Sequence, residues 1–208
     1  MVEMFRVHLK KNRKLNSLIL ASESPHRRQQ LEQLGYEFEV RFPRIDETPR
    51  PLEEPSDLVH RLAVEKASKI AADFPNSVII GSDQLGVLNN RVLAKPGTRE
   101  EALKMLMKYP GNRVMFLTAV CLIAPEQSPI VHTIPTYITF RDFTLAEAER
   151  YLDLDQPLNC AGAFKSESRG TLLFSSIMSS DHTAIVGLPL LETVRLLRDF
   201  GINPLQSK

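Results

Sequence analysis

The chain has 208 residues, with a hydrophobic share of 43% and a charged share of 25%, enough for one substantial core of an ordinary globular kind. Its 26 basic and 25 acidic residues give a formal net charge of +1, so no global field draws it to nucleic acid or a membrane surface, and local clusters of cations must meet any anion it binds. No apolar run approaches the roughly 20 residues that cross a bilayer, and Cys121 and Cys160 have neither zinc nor disulfide spacing, which fits a reducing, cytoplasmic setting.

The first segment, Met1–Asn16, carries Arg6, Lys10, Lys11, Arg13 and Lys14 without the apolar stretch of a signal peptide. It reads as a solvated extension ahead of a single domain over 17–208, with room for two lobes around a central cleft. Leu18–Ala21 reads as a buried strand. Ser24 then caps a helix over Pro25–Leu34, with Pro25 in its first turn and Gly35 ending it. Phe38–Phe42 alternates as a strand and runs into the proline-flanked loop Arg44-Ile-Asp46-Glu47-Thr-Pro49. Ser56 is expected to cap a helix over Asp57–Ala72.

Val78–Ile80 is a second buried strand, followed by a hairpin turn at Asn89-Asn90. Thr98 and Glu101 have capping-box spacing for a helix to Lys108, as do Thr144 and Glu147 for a helix through Leu152. Val114–Ala124 and Ile134–Phe140 read as strands, with Cys121 a small buried hydrophobe on the first. The Gly/Ser-rich stretch Ala161–Ser180 reads as loops and short strands, and Leu190–Phe200 as a closing helix stopped by Gly201. Strands and helices interleave, while the hairpin and the mid-chain strand pair require antiparallel neighbours. The expected class is therefore α/β, a mixed twisted sheet flanked by helices.

The two buried runs end in chemistry. Leu18–Ala21 leads to Ser22, Ser24, His26 and Arg27, while Val78–Ile80 passes Gly81, which permits a turn or a close approach, and reaches Asp83 and Gln84. Strand carboxyl ends are where open α/β sheets bind ligands. Glu47, Lys66 and Lys95 add another acid and two cations. A helix N-terminus with nearby cations suits a phosphate, and carboxylates suit Mg²⁺ or Mn²⁺, so Glu47 or Asp83 could hold a metal while the other activates water. Taken singly, these charges have plain structural readings: Arg27 on a wet helix face, Lys66 snorkelling, Asp46-Glu47 as turn residues. Asp83, directly after a buried strand, needs a partner.

The segments Leu18-Ile-Leu-Ala-Ser-Glu-Ser-Pro-His-Arg-Arg28, Ile45-Asp-Glu-Thr-Pro49, Arg61-Leu-Ala-Val-Glu-Lys-Ala67, Ile79-Ile-Gly-Ser-Asp-Gln84, Lys95-Pro96 and Gly187-Leu-Pro-Leu190 together resemble the Maf family of nucleotide pyrophosphatases over nearly the whole chain. The resemblance implies a mixed α/β fold related to the inosine-triphosphate pyrophosphatases and a homodimer. It also implies a divalent metal (Mg²⁺, Mn²⁺ or Co²⁺) and hydrolysis of a nucleoside triphosphate to the monophosphate and pyrophosphate. On matching positions it makes Asp83 the proton acceptor, gives Arg27, Glu47, Lys66 and Lys95 phosphate- and metal-handling roles, and places Ser22 or Ser24 in the loop under the phosphates.

Three positions resemble the branch acting on 7-methyl-GTP rather than the branch acting on dTTP and UTP: Gln84 after Asp83, His26 rather than Arg after Pro25, and Glu167 in Cys160-Ala-Gly-Ala-Phe-Lys-Ser-Glu167. One carboxylate can accept guanine's N1–H and N2 amino group together, whereas a pyrimidine presents one N3–H between two carbonyls that repel it. The branch pattern has Trp where this chain has His26; Phe164 is the other expected platform for the base. A competing expectation is a non-catalytic nucleotide-binding regulator of cell division, against which the near-neutral charge counts.

Overall fold

The computed structural model describes residues 17–206, so the basic segment 1–16 lies outside the described residues. Seven strands form one sheet: β1 (Leu18–Ala21), β2 (Glu39–Arg41), β3 (Val78–Leu88), β4 (Arg91–Leu93), β5 (Arg113–Ile123), β6 (Ile130–Phe140) and β7 (Phe174–Ser179). Their order is β2-β1-β3-β5-β6-β7, with β4 paired on β3. β1 is parallel to β2 and β3; every other pairing is antiparallel, which makes the sheet mixed.

Among the described residues five α-helices cover it: α1 (Pro25–Gln33), α2 (Pro55–Asp73), α3 (Arg99–Leu106), α4 (Leu145–Asp155) and α5 (Leu190–Asp199). Alternation along the strands sorts the core by face. Leu18, Leu20, Val78 and Ile80 pack with Leu31 of α1 and Leu196 and Leu197 of α5. Ile19, Ala21 and Ile79 point the other way, onto Val59, Ala63 and Ala67 of α2. A third cluster fills the far end of β5 and β6 beneath α3 and α4, around Tyr109, Phe140 and Phe164.

The differences from the sequence reading have local causes. α2 begins at Pro55 with Glu54 in the cap position and no side-chain cap bond, so Ser56 lies inside the first turn. Proline's fixed φ and missing N–H suit the first helical position better than a cap. Thr98 accepts from Glu101 N–H at 3.2 Å, but the Glu101 carboxylate pairs with Lys104, leaving the expected box half made; the Thr144–Glu147 box is complete. Asn89 and Asn90 both adopt left-handed φ (51° and 60°), as the hairpin requires.

The largest difference is in β3, which runs through Leu88 rather than ending near Ile80. Antiparallel pairing with β5 continues from Ile79 to Val87, so Asp83 and Gln84 are in mid-strand. Gly81 makes no turn: a Cβ there would lie 2.4 Å from the Ala63 carbonyl oxygen and 2.7 Å from the Ala67 nitrogen. The bare glycine lets α2 lie directly on β3.

Gly81→Ala is expected to lower unfolding free energy by about 1–3 kcal/mol, the usual cost of overpacking a core. Chemical denaturation reads this, and an unchanged midpoint would mean that α2 rides up at no cost.

Candidate active site

β1 pairs with β3 only as far as Ala21 opposite Gly81, and β4 resumes pairing on that edge at Gly86. Residues 82–85 therefore face a gap in the sheet, and a cleft of about 1020 Å³ opens there, at the upper end of the range for small-molecule sites. It lies at the carboxyl end of β1, between the β1–α1 turn and the loop after α4. Among its lining residues are Ser22, Ser24, His26, Arg27, Glu47, Lys66, Asp83, Gln84, Lys95 and Glu167, so the structure gathers every sequence-nominated residue into one cavity.

At its floor, Lys66 Nζ donates to Asp83 Oδ1 at 2.6 Å and lies 2.7 Å from Glu47 Oε1. Lys66 falls on the buried stripe of α2 with Leu62 and Ile70, one helical turn to either side. It does not snorkel: it is 7% exposed and Asp83 is 5% exposed. Glu47 differs, reaching in from the rim with a side chain 58% exposed. One buried cation thus bridges two acids from separate segments. Removing one member of such a buried pair typically costs about 3–5 kcal/mol, because it strands a charge.

The α1 end supplies the positive wall. Ser24 caps the helix by accepting from Arg27 N–H at 3.3 Å, and Ser22 Oγ accepts from Ser24 N–H at 3.1 Å. No acid lies in the first turn, so the helix's positive end is not neutralised. Arg27 Nε donates to the Gly187 carbonyl at 2.8 Å, which also accepts from Ser82 Oγ at 3.0 Å. Burial pulls the Arg27 pKa below its ordinary value, opposed by the charges of Asp83 and Glu47; a guanidinium stays protonated regardless. Lys95 lines the opposite wall with no carboxylate within ion-pair distance among the described residues.

A network that sequence reasoning missed holds Glu47. Arg61 donates to both Glu53 carboxylate oxygens, at 2.6 and 2.8 Å, to Glu65 at 2.9 Å and to the Thr48 carbonyl at 3.1 Å. That last bond grips the residue beside Glu47. The Arg61–Glu65 helical spacing was the available signal. Asp46 is turn chemistry, its Oδ1 accepting from Thr48 N–H at 2.9 Å.

At the other end of the cleft, His26 Nε2 and Glu167 Oε1 stand 3.9 Å apart, 48% and 33% exposed. Two expectations change here. Gln84 Nε2 donates to Thr118 Oγ1 and to the Ala184 and Ile185 carbonyls at 2.9–3.0 Å, so its amide nitrogen fastens the 184–187 loop instead of standing free for a base. Phe164 is 5% exposed, edge-packed against Phe116, Phe140 and Phe174 with ring centroids 5.3–5.4 Å away, a core side chain instead of an open platform. Cys160 lines the same end, where burial raises its thiol pKa.

As a metal site the donor set is small. Glu47 and Asp83 offer carboxylate oxygens already arranged around a cation, the Lys66 ammonium. No group of three or more His, Cys, Asp or Glu suited to a metal occurs among the described residues. Two carboxylates fit a hard divalent ion that takes its other ligands from water and phosphate oxygens, as Mg²⁺ commonly does.

The sequence model of the Maf-like protein family matches residues 17–200. The chain belongs to the Maf family. It is 46% identical over 189 residues to the 7-methyl-GTP pyrophosphatase of Alcanivorax borkumensis, covering 90% of this chain and 95% of that protein. It is 48% identical over 187 residues to that of Xanthomonas oryzae pv. oryzae (89% and 97% covered), and 39% identical over 197 residues to that of Colwellia psychrerythraea (93% and 98%). Among solved structures, the Staphylococcus aureus Ham1 protein aligns over 74% of this chain and 88% of its own at 15% identity, with a TM-score of 0.44.

The Arg61 network has a pH signature. Its hydrogen bond to Arg61 pulls the Glu53 carboxyl from 4.5 down to about 2. A depressed carboxyl stabilises the fold above its unfolded value, and the gain disappears as pH falls through the folded one. Denaturation midpoints are therefore expected to fall between pH 4.5 and about 2, less steeply in Glu53→Gln. Parallel curves for the two proteins would contradict the assignment.

Proposed function

We propose that this Maf protein hydrolyses a nucleoside triphosphate to the monophosphate and pyrophosphate, with 7-methyl-GTP as its substrate. The observation that carries the reading is the Lys66 ammonium held between Glu47 and Asp83 on the floor of a cleft whose walls carry Arg27 and Lys95. The names of the relatives point the same way. Phosphoryl chemistry asks mainly for placed charge and an oriented nucleophile, and this arrangement offers both.

In this reading the triphosphate lies across the α1 N-terminus, where helix N–H groups and Arg27 face its oxygens. Lys95 meets it from the opposite wall. Asp83 accepts the proton of the attacking water, and Lys66 fixes the orientation of its carboxylate at 2.6 Å. Glu47 and Asp83 are the residues that would hold a divalent cation. That ion, when bound, supplies positive charge against the phosphate oxygens.

At the far end, Glu167 accepts guanine's N1–H and N2 amino group. A base made cationic by N7 methylation is further favoured by that carboxylate. Neutral His26 can stack on such a base, whereas protonated His26 would repel it.

Pyrophosphate release from a panel of nucleotides with Mg²⁺, Mn²⁺ or Co²⁺ tests the assignment. 7-Methyl-GTP is expected to give the highest kcat/KM; turnover confined to dTTP and UTP would overturn the base assignment. Asp83→Asn is expected to lower kcat by about 10²–10⁴-fold, the contribution of a positioned general base. Retention of full activity would remove Asp83 from the chemistry. Glu167→Gln is expected to raise KM for 7-methyl-GTP more than for UTP, and equal losses would place Glu167 outside base recognition.

A further inference from the structure

Glu167 sits at the apex of a loop whose own side chains hold it only lightly: its carboxylate accepts from Ser166 Oγ at 3.2 Å and faces His26 at 3.9 Å. The loop beneath it is tightly fastened. Ser168 and Gly170 N–H both donate to the Lys165 carbonyl, at 3.3 and 3.2 Å, closing a ring around positions 165–170. A Cβ on Gly170 would lie 2.4 Å from that carbonyl oxygen, so the ring needs a glycine there. Thr171 Oγ1 donates to the Ser166 and Ser168 carbonyls from outside the ring.

The ring is anchored on the last turns of α4, chiefly at Asp155. Asp155, at the last turn of α4, is buried and does not line the cleft. Its Oδ1 accepts from Ser168 Oγ and Arg169 guanidinium, and its Oδ2 from Arg169 N–H, all at 3.0 Å. Its backbone carbonyl accepts from Lys165 Nζ at 2.7 Å, and Tyr151 Oη, one turn earlier, accepts from Lys165 N–H at 3.0 Å.

A carboxylate at a helix C-terminus opposes the helix dipole, and burying one adds a desolvation cost. Within α4 the Tyr151 hydroxyl, one turn earlier, interacts with the carboxylate and offsets part of that cost. Burial alone would push the Asp155 carboxyl up, but the bonds from Arg169 and Ser168 prevail and leave it below its ordinary value. Most of the compensation therefore comes from the loop that carries Glu167.

We propose that Asp155 is the positioning residue for base recognition, clamping residues 165–169 onto α4 so that the Glu167 carboxylate is held at the height and angle a guanine edge requires. The proposal rests on the reading of Glu167 given above. It predicts an effect on base discrimination with none on phosphate handling, because Asp155 touches neither Asp83 nor the cations of the α1 wall.

The test is equilibrium binding by calorimetry, without divalent metal so that turnover does not intervene, using 7-methyl-GTP and UTP as probes. Asp155→Asn is expected to weaken 7-methyl-GTP binding by about tenfold, within the range of one lost paired contact to a base, and to leave UTP binding unchanged. In a Glu167→Gln background the same substitution is expected to change neither, since Asp155 acts through Glu167. Ser168→Ala removes a single donor from the clamp and is expected to give the same pattern at about threefold, which covers an Asp155→Asn protein that does not fold. Equal weakening of both nucleotides, or a full additional loss on top of Glu167→Gln, would overturn the proposal. A parent protein that binds 7-methyl-GTP no more tightly than UTP would overturn the reading of Glu167 itself, and the role of Asp155 with it.

Discussion

The site is organised by one ammonium group shared between two carboxylates. Lys66 is nearly buried, and its only described acidic neighbours within 3 Å are Glu47 and Asp83. An unpaired lysine or aspartate there would carry a large desolvation cost, so each group holds the others in place. The pair is asymmetric: Asp83 is fixed in a strand, while Glu47 arrives on a loop braced by Arg61. A site that must accept a charged ligand and release it benefits from one rigid and one adjustable acid.

The sheet supplies the remaining constraint. Pairing on the β1 side of β3 lapses between Gly81 and Gly86, and this interruption makes the cleft. Alternation along β3 divides labour across it. Asp83 faces α2 and the acid–ammonium cluster, whereas Ser82 and Gln84 point the other way and fasten the 184–187 loop. The Gly187 carbonyl then ties that loop to Arg27. The two ends of the cleft are thus built on different supports: the α1–β3–α2 junction for the Lys66 end, the last turn of α4 for the Glu167 end.

Much of this was legible in the residues. Helix boundaries followed from Ser24, Thr144 and Gly201, whose local chemistry is strong, and the two buried runs marked β1 and the start of β3. The extent of β3 was not legible, because Ser82-Asp83-Gln84 lacks apolar residues and only pairing with β5 makes it strand. Tertiary context likewise decided Gln84 and Phe164, residue types suited to touching a base that are instead used to fasten a loop and fill a core. The bracing roles of Arg61 and Asp155 were hidden for a related reason, apart from the Arg61–Glu65 pair that helical spacing signals. Their partners are fixed by where loops return, and no short motif encodes that return. Asp83 itself was legible because an acid directly after a buried strand demands a partner, which Lys66 supplies.

The central claim is that Lys66 and Asp83 act as one unit. A double-mutant cycle on kcat for 7-methyl-GTP hydrolysis, using Lys66→Met, Asp83→Asn and the double variant, tests it most directly, with circular dichroism confirming that each protein is folded. Residues that function as a unit lose nearly all of their contribution at the first substitution. The account predicts a double variant about as slow as the slower single one. Losses that multiply would contradict it, placing the two side chains in separate roles that merely share a cleft.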